Sequence, residues 1–260
     1  MSVELIPEQL PDEEKRLPFW EHLDELRNRL INCALALFAA TAAGYAFRLR
    51  LWDLAKRPLL DISGPALVSP FSYTDLAEPF FSLLRLSFWA SVFAISPFLF
   101  YQVWAFVRPA LREREKKMAT TFVAATSACF VAGALFAYSI AFPILTKILM
   151  DEAVAAGLRP NLRPNEYLNL FLCTVLGTGV SFEAPVLFYF LARFGLVSSR
   201  AMLKYWRESS IAILAASAFL TPGDVIATTV LFGVVLLGLY FVSAGVVWLV
   251  ERRPSDASEI

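Results

Sequence analysis

The sequence predicts an all-α, polytopic membrane protein of six transmembrane helices. Hydrophobic residues make up 58% of the 260 and charged residues 18%, with a mean hydropathy of +0.59, a balance that water-soluble domains do not normally show. The apolar residues are gathered into six long segments, separated by short stretches that hold nearly all the charges and many of the prolines. The spans fall at about 31–47, 79–101, 118–142, 167–192, 209–223 and 225–250, between a polar segment at 1–30 and a tail at 251–260.

The chain begins acidic, with Glu4, Glu8, Asp12, Glu13 and Glu14, and lacks the basic n-region of a cleavable signal peptide, so the first span is expected to act as its own insertion signal. From Pro18 to Leu30 the pattern is that of an amphipathic helix. Phe19, Leu23, Leu26 and Leu30 share one stripe, and Glu21, Asp24, Glu25 and Asn28 point elsewhere. Span one follows directly, its 17 uncharged residues close to the minimum for a hydrocarbon layer of roughly 30 Å. The connection from Arg48 to Ala77 carries Pro58, Gly64, Pro65 and Pro70, which leave room only for a short helix near 51–56. Span two contains one charge, Arg85, and Pro97 marks a kink or an early exit near Tyr101. Span three is expected to end near Phe142, before Pro143. Span four is interrupted by Glu183, with Pro185 two residues later. Span five has only 15 uncharged residues, about 22 Å of helix, and joins span six through Thr221-Pro-Gly-Asp224 in a tight hairpin.

Formal net charge is zero, so the placement of charge carries the argument. Fifteen basic residues lie in the N-terminal segment, the second-to-third and fourth-to-fifth connections and the tail, against seven on the opposite side. Both termini are therefore expected to be cytoplasmic. Cys33, Cys129 and Cys173 sit singly in apolar segments and read as small fillers.

Two ionisable residues fall inside spans, where such groups are costly. Arg85 lies near a span end and is expected to snorkel to headgroups. Glu183 lies deeper and is read as facing a polar groove, with a protonated structural carboxyl as the alternative. Gly177 and Gly179 before it permit close helix approach, or plain packing. Glu25 and Arg29 make an i,i+4 pair, and Glu115 stands among Arg112, Arg114 and Lys116, so physics alone reads both glutamates as surface ion pairs. The one histidine, His22, reads as a surface residue. No catalytic triad, phosphate loop or metal-spaced cluster appears, so neither an enzyme nor a cofactor is expected, and nothing points to nucleic acid.

The stretch His22-Leu-Asp-Glu-Leu-Arg-Asn-Arg-Leu30 resembles the opening signature of the TatC family, the signal-receptor subunits of the twin-arginine protein translocase. Tyr101-Gln-Val-Trp-Ala-Phe-Val-Arg-Pro-Ala-Leu111 with Arg-Glu-Arg-Glu115, Gly179-Val-Ser-Phe-Glu-Ala-Pro-Val186 and Leu220-Thr-Pro-Gly-Asp224 are similar to later motifs of that family, in order. The resemblance implies a cupped six-helix fold around Glu183. It also implies capture of twin-arginine signal peptides of folded precursors, and assembly in several copies with TatA and TatB, driven by the proton motive force. By residue, it implies that Glu25 and Glu115 receive the two arginines, with Arg27 and Phe106 at neighbouring motif positions. Thr221 and Asp224 match the partner-docking end of span five. The final turn departs from the family in reading Pro-Gly-Asp, and Thr228 stands where many members have Gln. The competing reading is a small proton-coupled transporter or channel using Glu183 and Arg85, against which no internal repeat is visible.

Overall fold

The computed structural model describes residues 19–63, 71–108, 119–158, 161–220 and 226–252. Helix α1, Phe19–Ala46, joins the amphipathic lead-in and the first apolar segment into one rod of 28 residues, about 42 Å long. After Phe47 the chain turns into α2, Arg48–Ser63. Here the structure corrects the sequence reading, because Pro58 lies inside α2 and does not break it. Proline cannot donate to the carbonyl four residues back, which is that of Leu54. The hydroxyl of Tyr138 donates to that carbonyl at 3.0 Å, and Tyr167 donates to the neighbouring carbonyl of Ala55 at 2.7 Å. Two tyrosines from distant helices thus hold α2 across its proline. Tyr138→Phe is expected to lower stability by about 1 kcal/mol, and to be nearly neutral in a Pro58→Ala background, where the backbone serves Leu54 itself. Thermal unfolding of the solubilised variants checks both.

The second apolar segment forms α3, Glu78–Ala94, and α4, Ser96–Val107, bent by 60° at Ile95. The kink expected at Pro97 is therefore present, but the helix continues past Tyr101. Ser96 Oγ donates to the Phe93 carbonyl at 2.9 Å, which lacks its i+4 donor because of Pro97 and also accepts a backbone N–H at the end of α3. The third segment also runs further than expected. Helix α5, Ala119–Phe136, passes through a π-helical turn at Ala137–Ala141 into α6, Phe142–Ala155. The wider turn resets the register so that Pro143 falls in the first turn of α6, where a missing N–H is tolerated. Helices α7, Pro164–Ser181, and α8, Ala184–Arg193, flank a two-residue break at Phe182 and Glu183. A short α9, Ser199–Lys204, leads into α10, Trp206–Leu220, and α11, Ile226–Arg252.

Among the described residues, four helical stretches are long and apolar enough to cross a membrane, and the bent α3–α4 pair makes a fifth. With the 15-residue α10 between the last two, these elements follow the order of the six expected spans. Small residues let the helices approach closely. Ser82, Ser87 and Ser91 are buried on α3, and a Cβ on Gly44 of α1 would sit 2.9 Å from Ser91 Oγ. One end of the bundle is filled by aromatic rings. Tyr167 and Phe171 of α7 and Phe142 of α6 pack together, with Phe71 against Tyr167 at 5.2 Å and Trp52 of α2 against Phe71 at 5.0 Å. At the other end, Trp104 of α4 packs at a tilt on Phe122 of α5, and Phe122 meets Phe190 of α8 edge to face, with centroids 4.8 and 4.9 Å apart. That second cluster fixes α4 against α5 and α8.

Candidate functional site

Glu25 sits on the one face of α1 that meets α4. His22, Glu25 and Arg29, spaced i, i+3 and i+7, share this face. The bend at Ile95 lays α4 against it, so that Gln102 and Phe106, one turn apart, meet the three α1 residues. The His22 ring stacks on Phe106 with centroids 4.4 Å apart and planes 13° from parallel. Arg29 donates to Glu25 Oε1 through Nε at 2.9 Å and through Nη2, and its Nη1 donates to Gln102 Oε1 at 3.1 Å. His22 Nδ1 lies 3.8 Å from the other carboxylate oxygen, beyond hydrogen-bond reach. The Glu25 and Arg29 side chains keep only 23% and 25% of their exposure, and Gln102 is buried.

The i,i+4 pair of Glu25 and Arg29 is therefore present, but it is tied to a second helix through Gln102 and is more than a solvated surface pair. Phe106 reaches this face of α1 through the His22 ring. Arg27 is exposed and has no partner among the described residues. His22 keeps 39% of its side-chain exposure, as its reading as a surface residue expected, while its ring packs on Phe106. Glu115, Thr221 and Asp224 lie outside the described residues, as does the side chain of Thr228. Sequence reasoning missed Gln102. Its one signal was chemical: it is the lone amide in the apolar run from Pro97 to Val107.

Glu183 occupies the break between α7 and α8, ahead of Pro185. Its carbonyl accepts from Leu187 N at 2.9 Å and its N–H donates to Val180 O at 3.0 Å, which holds the residue in place through its backbone. The carboxylate lies close enough to Cys129 of α5 to act on it electrostatically, and Oε1 is buried without a partner among the described residues. The hydroxyls of Ser127 on α5 and of Thr174 and Thr178 on α7 are likewise buried and unpartnered. This helix pair thus carries polar groups that it does not satisfy itself. Its closest approach is made by glycines. A Cβ on Gly133 would lie 2.8 Å from Phe182 and 3.0 Å from the Cα of Gly179, and one on Gly179 would lie 3.1 Å from Phe130.

Arg85 differs from expectation in having a protein partner. Its Nη2 donates to Asn169 Oδ1 on α7 at 2.9 Å, and it makes no ion pair with Glu183 among the described residues. No group of three His, Cys, Asp or Glu side chains among the described residues is placed to hold a metal ion.

Fold and site define a polytopic helical membrane protein that presents a half-buried carboxylate, already engaged by a guanidinium, at one end of its bundle. The family model described as Sec-independent protein translocase protein (TatC) matches residues 21–233. A Sec-independent protein translocase protein TatC from Koribacter versatilis is 33% identical over 94% of this chain and 92% of its own length, and one from Campylobacter jejuni is 31% identical over 90% and 95%. A crystal structure of the twin-arginine translocase receptor TatC superposes with a TM-score of 0.77 at 27% identity, covering 89% of this chain and all of that one. The chain belongs to the TatC family and is a core subunit of the Sec-independent protein translocase.

Proposed function

We propose that the chain is the receptor of the twin-arginine translocase, binding the paired arginines of signal peptides at Glu25 and Glu115 and acting without chemistry of its own. The observation that carries this reading is that Glu25 already holds a guanidinium between two helices. A planar fork on a carboxylate is the arrangement that distinguishes arginine from lysine. Arg27 and Phe106 flank the signal. Both termini face the cytoplasm across the bacterial inner membrane, as the fifteen-to-seven distribution of basic residues supports. The apolar part of the signal enters the membrane along the α5–α7 face, where Glu183 and the unpartnered hydroxyls receive polar groups or water. Thr221 and Asp224 form the docking end for TatA and TatB, and several copies of the chain assemble in one complex. Membership in the TatC family leaves the solute-transporter reading without support, and the Arg85 to Asn169 bond occupies one of the two residues that reading needed.

The test is binding of a signal peptide containing Arg-Arg, and of its Lys-Lys twin, to the detergent-solubilised protein and to its Glu25→Ala and Glu115→Ala variants. Arginine-selective binding lost in both variants supports the receptor reading; binding indifferent to arginine, or to both substitutions, removes it. Glu183 makes a separate prediction. A buried unpartnered carboxylate oxygen costs roughly 1–3 kcal/mol, so Glu183→Leu is expected to raise the thermal midpoint of the solubilised protein while lowering export. A lowered midpoint with unchanged export would make Glu183 a structural residue.

A further inference from the structure

Resting on the receptor reading above, we infer that Arg29 occupies, as a stand-in, the subsite into which a signal arginine fits, and that Gln102 is the arginine-specific acceptor of that subsite. An ordinary i,i+4 pair on a helix surface needs no third member. Here the third member comes from another helix, 73 residues away in sequence, and is itself buried at 8% exposure. The two acceptors sit on opposite sides of one guanidinium: Glu25 Oε1 takes Nε and Nη2, and Gln102 Oε1 takes Nη1. Only a flat group with donors fanned around it spans both. The His22–Phe106 stack borders the same place and leaves the second oxygen of Glu25 without a close donor, so an arriving guanidinium has a free edge of the carboxylate to approach first.

The resting subsite is electrically closed, Glu25 being balanced by Arg29. An incoming cation has to displace a tethered competitor, whose effective concentration is on the order of millimolar or higher. Displacement lowers the apparent affinity for every cation by one factor and leaves the ratio between cations alone. Gln102 acts differently. It rewards a guanidinium, which reaches the amide while still on the carboxylate. An ammonium, which is a compact point charge, cannot span the two acceptors. The competitor sets the threshold, and the amide sets the preference.

The two roles separate in one experiment, titration of Arg-Arg and Lys-Lys signal peptides against the full chain in detergent, each variant first shown to be monodisperse. Arg29→Gln is expected to tighten both peptides by the same factor, up to roughly fivefold, the range a partly exposed ion pair allows. Arg29→Lys, which keeps the charge and loses the fork, is expected to tighten both by less. Gln102→Leu is expected to lower the ratio of Arg-Arg to Lys-Lys affinity several-fold, because only the arginine peptide loses an acceptor. In a Glu25→Ala background Arg29→Gln is expected to change nothing. Weaker binding of Arg-Arg by the Arg29→Gln variant would make Arg29 a support for Glu25 and overturn the stand-in role. An unchanged ratio in Gln102→Leu would make the amide a mere anchor of Arg29. If Glu25→Ala alone leaves binding of the wild-type chain unaffected, the receptor reading itself fails, an outcome distinct from both.

Discussion

Glu25→Gln is expected to weaken binding of a twin-arginine peptide by roughly two- to thirtyfold without loss of the fold. Glutamine keeps the shape and one acceptor oxygen, so Arg29 keeps an uncharged acceptor at position 25 and its bond to Gln102 across the α1–α4 contact. The substitution removes the charge alone. A hydrogen bond to an ionised group is worth roughly 1.5–3 kcal/mol where a neutral one is worth about 1, and a carboxylate with 23% of its exposure is screened by water less than a surface one. Part of the loss is offset because Arg29 also loses its ionic partner, which places the expectation below the loss for a bare buried pair. Peptide titration measures the loss, and the thermal midpoint of the same sample reports whether the bundle is intact.

Gly133→Ala is expected to destabilise the bundle by roughly 1–3 kcal/mol, and Gly133→Val by more. The added methyl meets Cβ and Cγ of Phe182 at 2.8 Å and the Cα of Gly179 at 3.0 Å. Two of these are atoms at or next to backbone, which cannot swing away as the end of a long side chain can. Relief has to come from separating α5 from α7 at the break that carries Glu183, so the substitution is expected to reduce export together with stability. Gly238→Ala is the matched control. Its Cβ meets nothing within 4 Å inside α11, and alanine is the better helix former by up to about 1 kcal/mol, so this variant is expected to be neutral or stabilised. Thermal unfolding in detergent compares the two. Equal midpoints would remove the close crossing from the account.

Hydropathy and charge placement made the helices and their order legible, because a lipid-facing helix has to show its apolar residues in one long run. Helix ends at prolines were less legible. Pro58 and Pro143 read as breaks, yet both sit within continuous helical runs. The group that replaces the lost donor at Pro58 is Tyr138, 84 residues from the Leu54 carbonyl, and no local pattern announces it. Of the candidate site, Glu25 and Phe106 came from motif resemblance and the Glu25–Arg29 pair from i,i+4 spacing, whereas the meeting of α1 with Gln102 and Phe106 came from the 60° bend at Ile95. A bend is legible as a kink near Pro97, but its direction is not, and the direction decides which residues face α1. Arg85 shows the same limit. Its depth in the span was readable, whereas its partner Asn169 depends on how α3 and α7 cross.

The central claim, that a signal arginine enters the subsite between α1 and α4, is tested most directly by photocrosslinking in native membranes. A photoreactive benzoyl-phenylalanine at position 106 keeps an aromatic ring beside His22 and Glu25. It is expected to crosslink a precursor bearing an Arg-Arg signal and to lose that product with a Lys-Lys signal or with Glu25→Gln. A crosslink of equal yield to the Lys-Lys precursor, or one that persists undiminished in Glu25→Gln, would contradict it.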